Sequence, residues 1–252
     1  MKTLFCNLWK GEGLPAFSEN AYGPADVLRL WRGMKRHVSD ARLVVLTDEH
    51  YFDAVNEAIR DAAQLEQYEG ILGTCAAEKY EGYGCGGWTN VMEVFRPDLF
   101  ERYIGAKFAR GVVVGLDTVF VRNSDWLWEW ADSPVGLPVD PYDSDVPCDA
   151  VVTFDMIGAH LAWSEHLRAA SEVEYPHRLF GKPSEMVLLQ HLWRLNNWTM
   201  LEASMEKLVS YKGKRLAESG AIPPRATVVY FHGRPKPWEI DSGHPVYQEW
   251  VR

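Results

Sequence analysis

The residues best suited to chemistry fall in two short segments, one near the middle of the chain and one near its end. The first holds Asp117, a lone carboxylate between Val112-Val113-Val114 and Thr118-Val119-Phe120-Val121. A charge among such residues needs a cation or strong donors, because leaving it unpaired is costly. The second is Phe231-His232-Gly233-Arg234-Pro235-Lys236-Pro237-Trp238-Glu239. Here an imidazole ends a strand, a glycine lets backbone approach a ligand closely, and a lysine stands between two prolines that restrict its backbone. Such a segment suits the two phosphates of a donor, with His232 on a metal and Lys236 as a direct counter-charge. The plain alternatives are a carboxylate that caps a turn and a histidine satisfied inside a rigid surface turn.

Groups so far apart need a scaffold to join them. The chain alternates short β-like runs with helical patterns, the arrangement of an α/β sheet with helices on its faces. Thr3 to Leu8 reads as a first strand. Pro24 to His37 reads as a helix, since Val27, Leu28, Leu30, Trp31 and Met34 recur at helical spacing behind a proline start. Arg42 to Leu46 is a second strand that turns at Thr47-Asp48, and Ala54 to Ala63 a second helix with a weaker apolar stripe. Gly70 to Trp88 is broken by Gly82, Gly84, Gly86 and Gly87 and reads as a loop. Val91 to Phe95 opens a helix closed before Pro97. Val112 to Val114 and Val119 to Val121 are buried strands, Pro134 to Pro147 a connection, and Ala150 to Phe154 a further strand. Ser184 to Leu195 reads as a helix, and Thr227 to Phe231 as a last strand that runs into His232. The chemistry thus gathers at strand ends, where open α/β sheets place it.

A chain of 252 residues, 47% of them hydrophobic, can bury one sizeable core, so residues 1–252 are expected to form one domain. Eleven tryptophans and eleven tyrosines exceed what a core requires and offer rings to stack on bases or sugar faces. The net charge of -9 disfavours a broad nucleic-acid surface, which needs clustered Lys and Arg. Cys6, Cys75, Cys85 and Cys148 have no paired short spacing and read as reduced thiols of a cytoplasmic protein. No run approaches a membrane span, and the N-terminal apolar run is too short for a signal peptide.

Phe231 to Trp238 resembles the C-terminal His, Gly, Lys-Pro-Trp motif of retaining glycosyltransferases of family 8 and their bacterial and phage relatives. Val113-Val114-Gly115-Leu116-Asp117-Thr118-Val119 resembles their strand with the Asp-x-Asp motif, and Gly87 to Pro97 and Ser210-Tyr211-Lys212 are weaker echoes. These pieces, in order, cover most of the chain. The resemblance implies an α/β architecture of the GT-A type, a central mixed sheet flanked by helices. Residues 1–125 would mainly serve the nucleotide sugar, and 126–252 the acceptor and the diphosphate motif. It also implies transfer of a hexose from a UDP-sugar to a hydroxyl, with retention and with metal assistance.

By the same resemblance, a divalent ion, manganese or else magnesium, falls to Asp117 and His232, and diphosphate contacts to Gly233 and Lys236. One oxygen and one nitrogen ligand suit manganese. The nucleoside end falls to Cys6, Asn7, Leu8 and Trp9, with Tyr22, Thr47 and Asp48 as neighbours. Asn90 stands where the family usually has a lysine, and Gly115 where it has its first motif Asp. Asp149 and Glu185 are the candidates on the sugar and acceptor side, with Ser184 in place of an expected Asp. The acceptor implied is a glycan or lipid-linked sugar, or hydroxymethylated pyrimidine in DNA. Gly115 leaves a non-catalytic nucleotide-sugar binding protein as the alternative, with a metal-dependent phosphohydrolase as a further rival. Nothing in the sequence sets the oligomeric state.

Overall fold

Runs of β-branched and aliphatic residues, apolar on both faces, can be buried only between two layers of helix. A computed structural model describes residues 1–9, 22–65, 75–79, 87–107, 109–201, 206–212 and 216–252 and has this layered form. Its strands are β1 (Lys2–Leu8), β2 (Ala41–Thr47), β3 (Cys75–Lys79), β4 (Gly111–Val114), β5 (Thr118–Phe120), β6 (Val135–Gly136), β7 (Val151–Phe154), β8 (Arg178–Leu179), β9 (Lys182–Pro183), β10 (Leu208–Ser210) and β11 (Val228–Tyr230). Its helices are α1 (Pro24–His37), α2 (Glu49–Leu65), α3 (Pro97–Tyr103), α4 (Trp126–Glu129), α5 (Met156–Ala170), α6 (Glu185–Asn196), α7 (Leu216–Ser219) and α8 (Pro245–Val251).

The central sheet runs in the order β3-β2-β1-β4-β7-β6. It is mixed: β1 is parallel to β2 and β4, whereas β7 is antiparallel to β4 and β6. Leu4, Cys6 and Leu8 of β1 face one side, where they meet Val27, Leu30, Trp31 and Met34 of α1. Phe5, Val44, Val113 and Val152 face the other and pack with Ala159 and Ala162 of α5 and Leu188 and Leu189 of α6. The period of two in the strands therefore decides which helix each side chain meets. A second, smaller sheet in the order β10-β11-β5 buries Val119, Val209 and Val229 against Val246 and Trp250 of α8.

Local signals explain most ends. Pro24 opens α1, Gly23 N donates to Asp26 Oδ2 at 2.9 Å, and Lys35, Arg36 and His37 fill the last turn. Acid at the start and base at the end both suit the helix dipole. Ser184 caps α6, its side chain accepting from Val187 N. Three expectations change. Cys75–Lys79, within the segment read as a loop, is an edge strand parallel to β2, while Gly82, Gly84 and Gly86 lie outside the described residues. Pro97 closes one element and begins another, because a 3-10 helix at Gly87–Phe95 passes directly into α3. The connection from Pro134 holds the short strand β6. Helix α5 lies in a stretch to which no element is assigned from sequence. Cys6 and Cys148 are buried cysteines. Among the described residues, no helix is long and apolar enough to cross a membrane.

Candidate functional site

The two chemical segments meet because the chain changes sheets at the Asp-bearing turn. After β4 leaves the central sheet, Thr118 N donates to Gly115 O at 3.1 Å, and β5 then joins the smaller sheet. In that sheet Thr118 is paired with Tyr230 of the antiparallel β11. The next step of the ladder sets Asp117 beside Phe231 and hence beside His232. Ser210 of β10 pairs with Tyr230 from the other side, which brings Lys212 toward Gly233. Gly233 has φ of 62°, a left-handed conformation that glycine adopts without strain. A Cβ there would stand 3.3 Å from Lys212 Nζ.

This seam lines a cleft of about 530 Å³ bordered by Asn7, Leu8 and Trp9 at the end of β1, and by Asp117, Asp149, Glu185, His232 and Lys236. Lys236 Nζ donates to Asp117 Oδ2 at 2.5 Å, and Tyr22 OH donates to the same oxygen at 2.8 Å. Burial, and then the Asp117 charge, push the Tyr22 hydroxyl far above its usual range, so it stays a donor. Its ring meets Trp238 edge to face, with centroids 5.1 Å apart. Glu239 organises the lysine turn: its carboxylate accepts from Lys236 N at 2.7 Å and from Arg234 Nη1 at 2.6 Å. This is half of a capping box, since Glu239 reaches back to the backbone N–H of the turn's first residue while the Lys236 side chain has no acceptor to make the other half.

His232 is gripped on both sides. Its Nδ1 hydrogen-bonds with Ser210 Oγ at 3.3 Å and its Nε2 with Tyr142 OH at 2.9 Å. Burial, and then the Lys212 ammonium, hold the imidazole below its usual range, against the opposing pull of Asp140 and Asp117. A neutral ring is the form that can ligate a metal. Tyr142 is largely exposed, so its hydroxyl is a replaceable partner.

Position 115 shapes the fit of an ion. An ideal Cβ on Gly115 would lie 2.6 Å from Asp117 Oδ1, so this oxygen rests over bare backbone that a side chain would fill. Both hydrogen bonds to Asp117 described above go to Oδ2. Oδ1 and the His232 ring thus present one oxygen and one nitrogen to the same cleft, and the Lys236 ammonium already stands on Asp117 as a cation. Asp117 and His232 would be the residues to hold a divalent ion here, offering it a carboxylate oxygen and an imidazole nitrogen.

Asp149 and Glu185 share the far wall. Their carboxyls hydrogen-bond to each other, and burial pushes both up from the usual carboxylate range, Glu185 the further because the Asp149 charge adds to the effect. Glu185 Oε2 is sealed from solvent with no hydrogen-bond partner among the described residues. Two like charges so close oppose each other, which favours a proton on the pair.

Of the expected nucleotide contacts, Asn7, Leu8, Trp9 and Tyr22 line the cleft, whereas Cys6, Thr47, Asp48 and Asn90 are not among its lining residues. Cys6 points into the core under α1, and Thr47 is fully buried. Asp48 serves α2, accepting from Tyr51 N at 3.2 Å. Sequence reasoning missed Tyr142 and Glu239 and left Lys212 as a mere echo. The register of β10 on β11 brings Lys212 in, and a long connection brings Tyr142, neither of which has a local signature.

No protein-family description matches the chain, and no curated protein matches it in sequence. Solved structures do match. The apo form of the glycosyltransferase GlyE of Streptococcus pneumoniae TIGR4 is similar over 99% of this chain, at 12% identity and a TM-score of 0.64. The bifunctional glycosyltransferase WbbM is similar over 99%, at 10% identity and a TM-score of 0.62. The galactosyltransferase LgtC, bound to donor and acceptor sugar analogs, is similar over 99% of this chain and 94% of its own, at 12% identity and a TM-score of 0.61. The fold is GT-A. This chain spans 59% of the GlyE chain and 49% of the WbbM chain, so the likeness is to a part of each. It gives the architecture on which the cleft is built, and that architecture matches the expectation from the two motifs.

Proposed function

We propose that the chain is a glycosyltransferase moving a hexose from a UDP-sugar to a hydroxyl of a carbohydrate acceptor, with retention at the anomeric carbon. The observation that carries this reading is the meeting of Asp117, Lys236 and His232 in one cleft of a GT-A fold. LgtC, of the same fold, is a galactosyltransferase with donor and acceptor sugar analogs bound. We read residues 1–252 as one domain, the first half chiefly serving the nucleotide and the second the acceptor, and the buried thiols Cys6 and Cys148 as those of a cytoplasmic protein.

The acceptor oxygen bonds to the anomeric carbon as the bond from that carbon to the β-phosphate oxygen breaks. The acceptor proton passes to the departing phosphate. Negative charge grows on that phosphate, and Lys236, moving off Asp117, is the ammonium placed to meet it. Gly233 lets the diphosphate approach the backbone, with Lys212 behind it. A divalent ion, manganese before magnesium, would be held by Asp117 and His232 and would neutralise further diphosphate charge. Asn7, Leu8 and Trp9 would flank the nucleoside, and Asp149 and Glu185 the sugar and acceptor.

UDP release from UDP-glucose or UDP-galactose with manganese is the direct test. It is expected in the native chain, lost in Asp117→Ala, and lowered about 10²-fold in Lys236→Met. NMR of the product then gives its anomeric configuration. Donor binding with no turnover on any acceptor would replace this reading with that of a nucleotide-sugar binding protein, which the missing carboxylate at Gly115 favours. Release of inorganic phosphate in place of UDP would point to a phosphohydrolase.

A further inference from the structure

Outside the cleft, Glu165 of α5, His177 just before β8 and His191 of α6 turn ligand atoms toward one point. Glu165 Oε1 lies 2.8 Å from His177 Nε2 and 4.0 Å from His191 Nε2. The ligand atoms of all three lie within 4.8 Å of one another, and the two imidazole rings have centroids 4.8 Å apart. His177 is buried and the other two half-buried. None of the three lines the cleft.

We propose that Glu165, His177 and His191 form a zinc site that pins the β8–β9 hairpin to α5 and α6. Two imidazoles and a carboxylate are an established zinc set that leaves a fourth position for water. Imidazole ligands also favour zinc over manganese, magnesium or calcium. In a tetrahedral site the ligand atoms stand about 3.4 Å apart, a spacing that the observed 2.8 and 4.0 Å bracket. Small side-chain rotations therefore close the set. The carboxylate already has its outer support: Arg168 Nε donates to Glu165 Oε2 at 2.8 Å and Nη2 to Oε1 at 2.6 Å. Such second contacts orient a ligating carboxylate. The exposed Arg168 keeps Oε2 while the ion takes the face of Oε1 now turned to His177.

The pinned segment borders the cleft. Ser184 N donates to His177 O at 2.9 Å, Ser184 caps α6, and Glu185 follows it on the cleft wall beside Leu179 of β8. Zinc at this point would fix the hairpin and the start of α6 together. The three ligands come from two helices and a loop, at spacings that no short metal motif records.

The test uses the full chain, stripped with a chelator and titrated with zinc alone, read by thermal unfolding and by competition with a chromophoric chelator. The expected result is one tight zinc per chain with a rise in Tm, and binding weakened at least about 100-fold in both His191→Ala and Glu165→Gln. His191 is half-exposed, so His191→Ala should keep the zinc-free Tm and the circular dichroism of the native chain, which shows that lost binding is not lost folding. Equal zinc binding by the native chain and His191→Ala, or no tight zinc at all, would overturn the proposal. So would tight zinc that survives both variants and disappears in Asp117→Asn, since the ion would then belong to the cleft.

Discussion

Glu185 is the residue whose ionisation decides most. Its sealed Oε2 and the neighbouring Asp149 charge favour a proton that bulk water at neutral pH would remove. Both carboxyls have folded pKa values above those of the unfolded chain. Their full stability is therefore present below about pH 4, where the unfolded carboxyls also hold protons, and is drawn down as pH rises through the folded values. Glu185→Gln keeps the shape and the donor without the charge. It is expected to be more stable than the native chain at pH 7, with the gain vanishing below about pH 4 in urea unfolding. If Glu185 works protonated, UDP release by the native chain falls on the alkaline side, and that limb is absent in Glu185→Gln. An unchanged alkaline limb, or a loss of stability at neutral pH, would sink this account. At this scale the sequence was most informative where groups are dense and consecutive, as from His232 to Lys236. Asp117 stood out because an acid amid valines demands partners, though nothing local named Tyr22 as one of them. The coupling of Asp149 and Glu185 was invisible, because it depends on two segments meeting.

Among the elements, α5 shows why one helix escaped reading. Asp155 caps it, its Oδ1 accepting from Gly158 N at 2.9 Å, yet no single apolar stripe follows. Gly158, Ala159, Ala162, His166 and Ala169 are its buried residues, while Ile157 and Leu167 are exposed. Small residues fill the most buried face here, and Leu161 and Trp163 are only partly buried against the core, so hydrophobic periodicity misleads. The reason is close approach. A Cβ on Gly158 would stand 2.5 Å from both Pro134 O and Val135 Cγ2. In an exposed helix, glycine to alanine stabilises by about 1 kcal/mol. Here the obstacle is backbone, so Gly158→Ala is expected to destabilise by about 1–3 kcal/mol. The urea midpoint should fall with the slope unchanged. A midpoint that rises would mean that α5 can shift away from β6 freely. Other elements were legible because their signals agree: α1 has its proline start, apolar stripe and basic end, and β1, β2 and β4 carry unbroken apolar runs at Leu4 to Cys6, Leu43 to Leu46 and Val112 to Val114, as strands buried on both faces do. The edge strand β3 was not, since it lies in a stretch whose glycines spoke for a loop.

At the scale of the whole molecule, charge separates the two kinds of acceptor. The chain carries -9 overall, while Lys212, Arg234 and Lys236 gather around His232. A small dianion can enter such a cluster, but a duplex must also lie along a chain whose net charge is -9. Strong duplex binding needs many lysine and arginine contacts, each releasing counterions, and it therefore weakens steeply with salt. DNA carrying hydroxymethylated pyrimidines is accordingly expected to pass unretarded in gel mobility at about 50 mM salt, the condition most favourable to binding. Under the same condition UDP with manganese should raise Tm, because a ligand that binds only the folded chain stabilises it. The two measurements must be made together. Retardation that falls steeply from about 50 to 200 mM salt would return modified DNA as the acceptor. It would also place the basic contacts outside the cleft, because three cationic side chains around one histidine can neutralise only a few phosphates. A Tm unmoved by UDP would instead remove the nucleotide, and with it the use here assigned to Asp117, His232 and Lys236.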